Sequence, residues 1–295
     1  MQVTVAAVQP CTDRVNEKSN VSIALKYIDE AADKGAKIVC FPEGYPGPYR
    51  GPLTYSALQV LSEKAKERGV YVIAGAVEKA EKYRKLGIKN AFLLALNVIG
   101  PRGQLVGTYR RVQPNPPDTD RFFMGEKTIA PGEELPVFKT EYGTLGFLIC
   151  SEIWCPELAR VLALKGAEII FAPMGGAVYE VSETWKVLLW ARAIENNACL
   201  VTTQNLWGME DGMAAIYGPE EILAESKKPG VLTATVDLNR IRWLREHMQK
   251  LVLPKPYKAL PGMLMYRRPE LYKEICQPQP NAYDFYYFKK GKRLK

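Results

Sequence analysis

The chain has a single histidine, His247, among its 295 residues. A zinc or iron site would have to be assembled almost wholly from carboxylates and thiols. No such ligand spacing occurs, so metal-free and cofactor-free chemistry is expected. Cysteine is scarce as well. Cys11, Cys40, Cys150, Cys155, Cys199 and Cys276 form no C-x-x-C pair and are too sparse for a disulfide scaffold. No apolar run reaches the roughly 18 residues that crossing a bilayer takes. Met1 to Gln9 shows no basic leader with a cleavage motif, so a cytoplasmic protein without membrane contact is expected. Ser/Gly-rich linkers, repeats and low-complexity stretches are missing too. Positive charge is in excess, formally +8, yet it concentrates late, in Lys289, Lys290, Lys292, Arg293 and Lys295. A solvated basic tail accounts for this, and with no recognition motif beside it nucleic-acid binding is not expected.

What is present is apolar residue, 47% of the chain, enough to bury a large core. One domain over residues 1–252 is expected. From about Leu253 the chain is rich in Pro, Tyr and Lys and lacks periodicity, so residues 253–295 read as an extended arm packing on the body or on a partner subunit. Strands are expected at 3–8, 38–41, 70–77, 91–98, 105–112, 137–139 and 146–149, and again at 168–172, 199–204, 213–217 and 231–236. Helical spacing covers 21–32, 53–67, the stretch after Pro156, 181–196 and 238–251. Such alternation implies an α/β protein whose sheets are covered by helices.

Cys150 ends the apolar run Gly146-Phe147-Leu148-Ile149 and precedes a helix opening at Pro156. A thiol at a strand-to-helix turn meets the positive end of the helix dipole, which favours thiolate and makes a nucleophile. Glu43 follows the strand 38–41 inside a loop stiffened by Pro42, Gly44, Pro46 and Gly47. Strand carboxyl ends are where α/β proteins hold ligands, and a partly desolvated glutamate beside a thiol suits a general base. Arg110 and Arg111 sit on one strand and point to opposite faces, so one of them can enter a site as a fixed charge. Arg192 and Glu195, at helical spacing, are expected to form a structural ion pair.

Phe41-Pro42-Glu43, Tyr109-Arg110-Arg111 and Ile149-Cys150-Ser151-Glu152-Ile153-Trp154-Cys155-Pro156-Glu157 resemble, in order and spacing, the three motifs of the nitrilase superfamily of carbon–nitrogen hydrolases. Asn90-Ala91, Pro131-Gly132, the run from Gly166 through Pro173, and Trp185 through Asn196 extend the likeness over roughly residues 3–238. The resemblance implies a four-layer α-β-β-α sandwich and a Glu-Lys-Cys triad acting on amide, nitrile or carbamoyl small molecules. Carried over, Cys150 is the nucleophile, Glu43 the base and Ser151 a backbone oxyanion donor, with a thioester on Cys150. Tyr45, Trp154, Met174 and Tyr179 follow the motif segments and are expected to line the substrate pocket. The resemblance also implies a homodimer or larger homo-oligomer, and the aromatic run Tyr283, Phe285, Tyr286, Tyr287 and Phe288 is expected to dock on a neighbouring subunit.

Two departures bear on activity. Arg111 stands where the family has lysine, keeping the charge but bulkier and planar. The extra glutamate that relatives carry six residues before the Pro of the Pro-Gly pair falls on Gly125, and the adjacent Glu126 is taken as its replacement. The segment Met213 to Glu221 is altered as well. These departures motivate an alternative, a binding or regulatory homologue whose hydrolytic site has decayed. A third reading, a Cys-His hydrolase, would need His247, which lies on a helix-like stretch beside Arg245 and Lys250 and reads as solvated.

Overall fold

Strands buried on both faces read as nearly continuous apolar runs, and the structure uses most of them that way. It is a computed structural model describing residues 1–116, 119–120, 124–176, 179–208 and 211–277, with Tyr179 and Glu180 as backbone only. The strands are β1 (Gln2–Gln9), β2 (Ile38–Cys40), β3 (Tyr71–Lys79), β4 (Ala91–Ile99), β5 (Leu105–Arg110), β6 (Thr128–Ile129), β7 (Phe138–Thr140), β8 (Gly143–Phe147), β9 (Ile169–Met174), β10 (Cys199–Gln204), β11 (Ala214–Tyr217), β12 (Ile222–Ser226) and β13 (Gly230–Asp237). The described α-helices are α1 (Ser19–Asp33), α2 (Leu58–Arg68), α3 (Glu81–Lys85), α4 (Pro156–Leu164), α5 (Tyr179–Asn196) and α6 (Leu238–Glu246).

One sheet runs β13-β1-β2-β3-β4-β5, with β6 beside β4; the other runs β12-β11-β10-β9-β8-β7. In each half three consecutive strands pair in parallel, β1-β2-β3 and β8-β9-β10. Parallel neighbours need a crossover, here α1 and α2 in the first half, α4 and α5 in the second. Along β1, Val3, Val5 and Ala7 join a core shared with Phe147, Ile169 and Phe171 of the second sheet, whereas Ala6 and Val8 pack with Ala24, Ile28 and Leu61 of the first helix pair. Ile170 and Ala172 turn outward in the same way onto Leu162, Leu189 and Ala193. The order helix, sheet, sheet, helix is the expected four-layer sandwich.

Some elements differ from expectation. The helix expected at 53–67 starts at Leu58, because Pro52 and the hydrogen bond from Thr54 N to Pro52 O hold the preceding residues in a loop. The helix expected to reach 251 stops at Glu246, where His247 turns extended. Strand β12 escapes sequence patterning because it is an edge strand, half exposed and flanked by Glu220, Glu221, Lys227 and Lys228. Beyond residue 252 the chain packs back on the body: Arg240 donates to Pro256 O at 2.8 Å, Lys258 N to Glu220 at 2.7 Å and Gly262 N to Leu244 O at 2.7 Å. The aromatic-basic run 283–295 lies outside the described residues. Among the described residues no helix is long and apolar enough to cross a membrane.

Gly75 of β3 shows how closely the fold grips the loop after β2. Its N–H donates to Tyr45 O at 2.8 Å, and a Cβ there would lie 2.2 Å from Gly44 N and 2.5 Å from Gly44 Cα. Gly75→Ala must therefore displace backbone, and is expected to lower unfolding free energy by about 1–3 kcal/mol. Urea denaturation reads this directly; an unchanged midpoint would mean that the contact is not tight.

Candidate active site

Glu43, Cys150 and Gly175 each follow the carboxyl end of a parallel strand, β2, β8 and β9 respectively. Past β2 the chain turns at Pro42-Glu43-Gly44, with Tyr45 N bonded to Pro42 O at 3.2 Å and Gly44 in the left-handed region at φ 69°. Glu43 is only 2% exposed, and its backbone carbonyl accepts Asn205 Nδ2 at 2.9 Å.

Cys150 has φ 54°, a left-handed conformation unusual for a residue with a Cβ. Such a conformation costs on the order of 1–3 kcal/mol and persists only when its surroundings over-determine it. Glu152 supplies that determination. Its buried carboxylate accepts Ile149 N at 2.6 Å, Tyr109 Oη at 2.7 Å, Val112 N at 2.8 Å and Gln113 N at 2.9 Å. One side chain thus ties the turn after β8 in the second sheet to the end of β5 in the first.

Arg111 leaves β5 with its N–H on Leu94 O at 2.9 Å and is 2% exposed. Its NH1 donates to Glu43 Oε1 at 3.2 Å, its NH2 to Ser151 Oγ and its Nε to Gln113 O at 3.2 Å. Ser151 Oγ in turn donates to Asn115 Oδ1 at 2.6 Å, and Asn115 Nδ2 to Asp120 Oδ1 at 3.2 Å. The Cys150 thiol and the Gly175 amide lie beside the Glu43 carboxylate and favour its charged form. All of these side chains line one cavity of about 160 Å³, with Leu94, Met124, Val181 and Trp185 as its apolar wall.

Burial dominates the charges here. It raises Glu43, against the pull of Arg111 and of the Cys150 hydrogen bond. Burial and then the Glu43 charge raise the Cys150 thiol, against Arg111 and the Gly175 amide. The resting sulfur is therefore a thiol, not the thiolate expected from a helix dipole. That dipole effect fades within one turn, and the chain makes a 3-10 turn, Cys150–Trp154, before α4 opens at Pro156. Arg111 stays cationic: burial opposes its charge, but Glu43, Cys150, Asp120 and Glu152 together raise it. Asp120, 3% exposed, is raised by burial to about 7, despite Arg111 and Asn115, and its Oδ2 has no partner among the described residues.

The cavity brings together Glu43, Arg111, Cys150 and Ser151 of the expected set. Others lie elsewhere. Glu126 is exposed, because Lys127 takes the inward direction at that bend. Tyr45 is 2% exposed but stacks on Phe41 at 5.4 Å and donates to Asn20 O at 3.1 Å, on the helix side of the sheet. Met174 shares the outward face of β9 with Ile170 and Ala172. Trp154 is 46% exposed, the inward position of its turn being taken by Ile153. The Tyr179 side chain lies outside the described residues. Arg110 pairs at the surface with Glu78 at 2.7 Å, Arg192 with Glu195 at 3.1 Å, and exposed His247 stacks on Trp243 at 4.8 Å. Asp120, Asn115, Tyr49 and Gly175 line the cavity without having been expected. Among the described residues no cluster of His, Cys, Asp and Glu could hold a metal ion.

Asp120 gives stability a measurable pH dependence. Its folded value of about 7 lies above its ordinary 3.8, so its contribution is fully present below the ordinary value and is lost as pH rises through the folded one. Between about pH 4 and about pH 8 the wild type should lose on the order of 3 kcal/mol relative to Asp120→Asn. Urea denaturation of both proteins at the two pH values checks this; parallel losses would contradict it.

Comparison with known proteins identifies the family. The carbon-nitrogen hydrolase family model matches residues 4–246. The chain is 32% identical to an N-carbamoylputrescine amidase of Oryza sativa subsp. japonica over 93% of its length and 94% of the relative's. It is 30% identical to a deaminated glutathione amidase of Synechocystis sp., over 85% of its length and 98% of the relative's. Among solved structures, a carbon-nitrogen hydrolase from Helicobacter pylori G27 superposes with a TM-score of 0.76 at 22% identity, covering 94% of this chain and 99% of that one. An amidase mutant from Nesterenkonia sp. AN1, holding the acetamide moiety of fluoroacetamide on its active-site cysteine, gives 0.72 at 21%, covering 92% and 96%. The chain belongs to the carbon-nitrogen hydrolase family.

Proposed function

We propose that the chain hydrolyses a small amide, or a related carbamoyl or nitrile compound, through a thioester on Cys150. The observation that carries this reading is the meeting of the Cys150 thiol, the Glu43 carboxylate and the Arg111 guanidinium in one cavity. A cavity of about 160 Å³ is small beside the roughly 300–1,000 Å³ of pockets for drug-sized ligands, which suits a short acyl group. The relatives named above are amidases, which favours the amide.

The chemistry follows from which group can move a proton. Glu43 takes the thiol proton as Sγ attacks the carbonyl carbon, and the oxyanion develops in the field of Arg111. Protonated Glu43 then gives that proton to the departing nitrogen, the carbon–nitrogen bond breaks and the thioester remains. Water delivers a proton to Glu43 and its oxygen to the acyl carbon, releasing the acid and returning the thiol. Asp120 Oδ2, which has no partner among the described residues, accepts an N–H of the substrate amide. Arg111 serves as the triad lysine because only its charge is needed, every proton being carried by Glu43.

Incubation with fluoroacetamide and a panel of short amides, followed by intact-protein mass spectrometry, tests the reading. A covalent adduct on Cys150 and ammonia release are expected in the wild type, and neither in Cys150→Ala. Arg111→Ala should lose about 10²–10³ in turnover, whereas Arg111→Lys should keep most of it. Turnover should fall in acid with a half-point above 4.5, the ordinary value from which burial raises Glu43. Ammonia release unaffected by Cys150→Ala sinks the proposal, and amides that bind without ever forming an adduct would favour the decayed binding protein.

A further inference from the structure

The backbone of residues 49–51 is held from both sides by charged groups that lie far away in sequence. Glu17, on the turn ahead of α1, accepts Tyr49 N and Arg50 N through Oε1 at 3.0 Å each, and Gly51 N through Oε2 at 3.4 Å. From the other side the Lys127 ammonium donates to Arg50 O and Gly51 O, the latter at 2.8 Å. Lys127 is only 8% exposed. Burying an ammonium against neutral carbonyls is costly, and burial accordingly lowers its pKa, with Glu17 pulling the other way. A surface loop with no further duty does not call for such an arrangement.

The loop carries Tyr49 into the cavity. The ring packs closely on Gly44: a Cβ there would fall 1.8 Å from Tyr49 Cδ2. Its hydroxyl and the Glu43 carboxylate both lie over Gly175, where an added Cβ would be 2.5 Å from Glu43 Oε2 and 3.0 Å from Tyr49 Oη. Trp207 closes the far side of the ring, with centroids 5.7 Å apart. Lys127 also follows Met124, another cavity wall residue. Two walls are therefore fastened to each other at one point.

We propose that Glu17 and Lys127 are positioning residues that act through Tyr49, pressing its ring onto Gly44 and so aiming the Glu43 carboxylate at Cys150. The kinetic consequence rests on the hydrolase reading; the geometric one does not. A misplacement near 1 Å can cost about 10²-fold in rate.

The test is a double-mutant cycle with two readouts: kcat and KM for a responsive amide, and the rate at which iodoacetamide alkylates Cys150, followed by peptide mass. Glu17→Ala should slow both rates by about 10- to 100-fold with KM little changed. Glu17→Gln should recover most of the loss, since one amide oxygen can still accept Tyr49 N and Arg50 N. In a Tyr49→Leu background, Glu17→Ala should cost nothing further. Lys127→Met supplies an independent arm and should reproduce the Glu17→Ala loss. Circular dichroism identifies variants that do not fold, and the cycle is read from those that do. Equal losses in both Tyr49 backgrounds, or an alkylation rate indifferent to Glu17→Ala and Lys127→Met, overturn the proposal. If no amide acylates the wild type yet Glu17→Ala still slows alkylation, the hydrolase reading falls and the positioning role stands.

Discussion

The buried ion pair between Glu43 and Arg111 is the constraint to which the rest of the site answers. Neither partner exceeds 3% exposure, and taking two charges out of water costs several kcal/mol each unless the remaining donors and acceptors are satisfied. They are satisfied here. Arg111 spends all its nitrogens on Glu43, Ser151 and Gln113, while the Gly175 amide and the Cys150 thiol lie beside Glu43 and favour its charge. Burial, and then the negative charge beside it, keep the proton on the sulfur. In the proposed reaction the nucleophile is armed by its neighbour rather than by its own acidity.

That pair, formed at the ends of two strands of one sheet, meets Cys150 only because the second sheet is held against the first at their carboxyl ends. Glu43 belongs to one sheet and Cys150 to the other, with Arg111 arriving from an antiparallel strand. Glu152 joins these parts, since its four donors come from both sides of the sheet interface. The left-handed backbone at Cys150 and the glycines at 44, 75 and 175 allow side chains and backbone to approach more closely than a Cβ would permit. The four-layer sandwich is the scaffold that makes these approaches reproducible.

Much of this was readable from residue order. Runs such as Ile169–Met174 announce strands buried on both faces, and the motifs around Glu43, Arg111 and Cys150 mark loops at strand ends. Sidedness was harder to read. Tyr45, Trp154 and Met174 neighbour the motifs, yet the period of two and a single turn send them away from the cavity. Asp120, Asn115 and Tyr49 sit in loops with no periodicity, where only the fold decides which side chain faces inward. Glu126 adjoins the motif position in sequence, whereas Asp120 lines the cavity with an oxygen that has no partner among the described residues. Glu152 belongs to the third motif, but its bonds to residues 112 and 113 are tertiary and leave no local signature.

Thiolate absorbance in the ultraviolet, recorded against pH for the wild type and for Cys150→Ser, tests the central claim most directly. The difference between them reports Cys150 alone. The account predicts no thiolate from Cys150 at neutral pH, and its appearance at lower pH in Glu43→Gln, where the neighbouring negative charge is gone. A Cys150 thiolate already present at neutral pH in the wild type would contradict it.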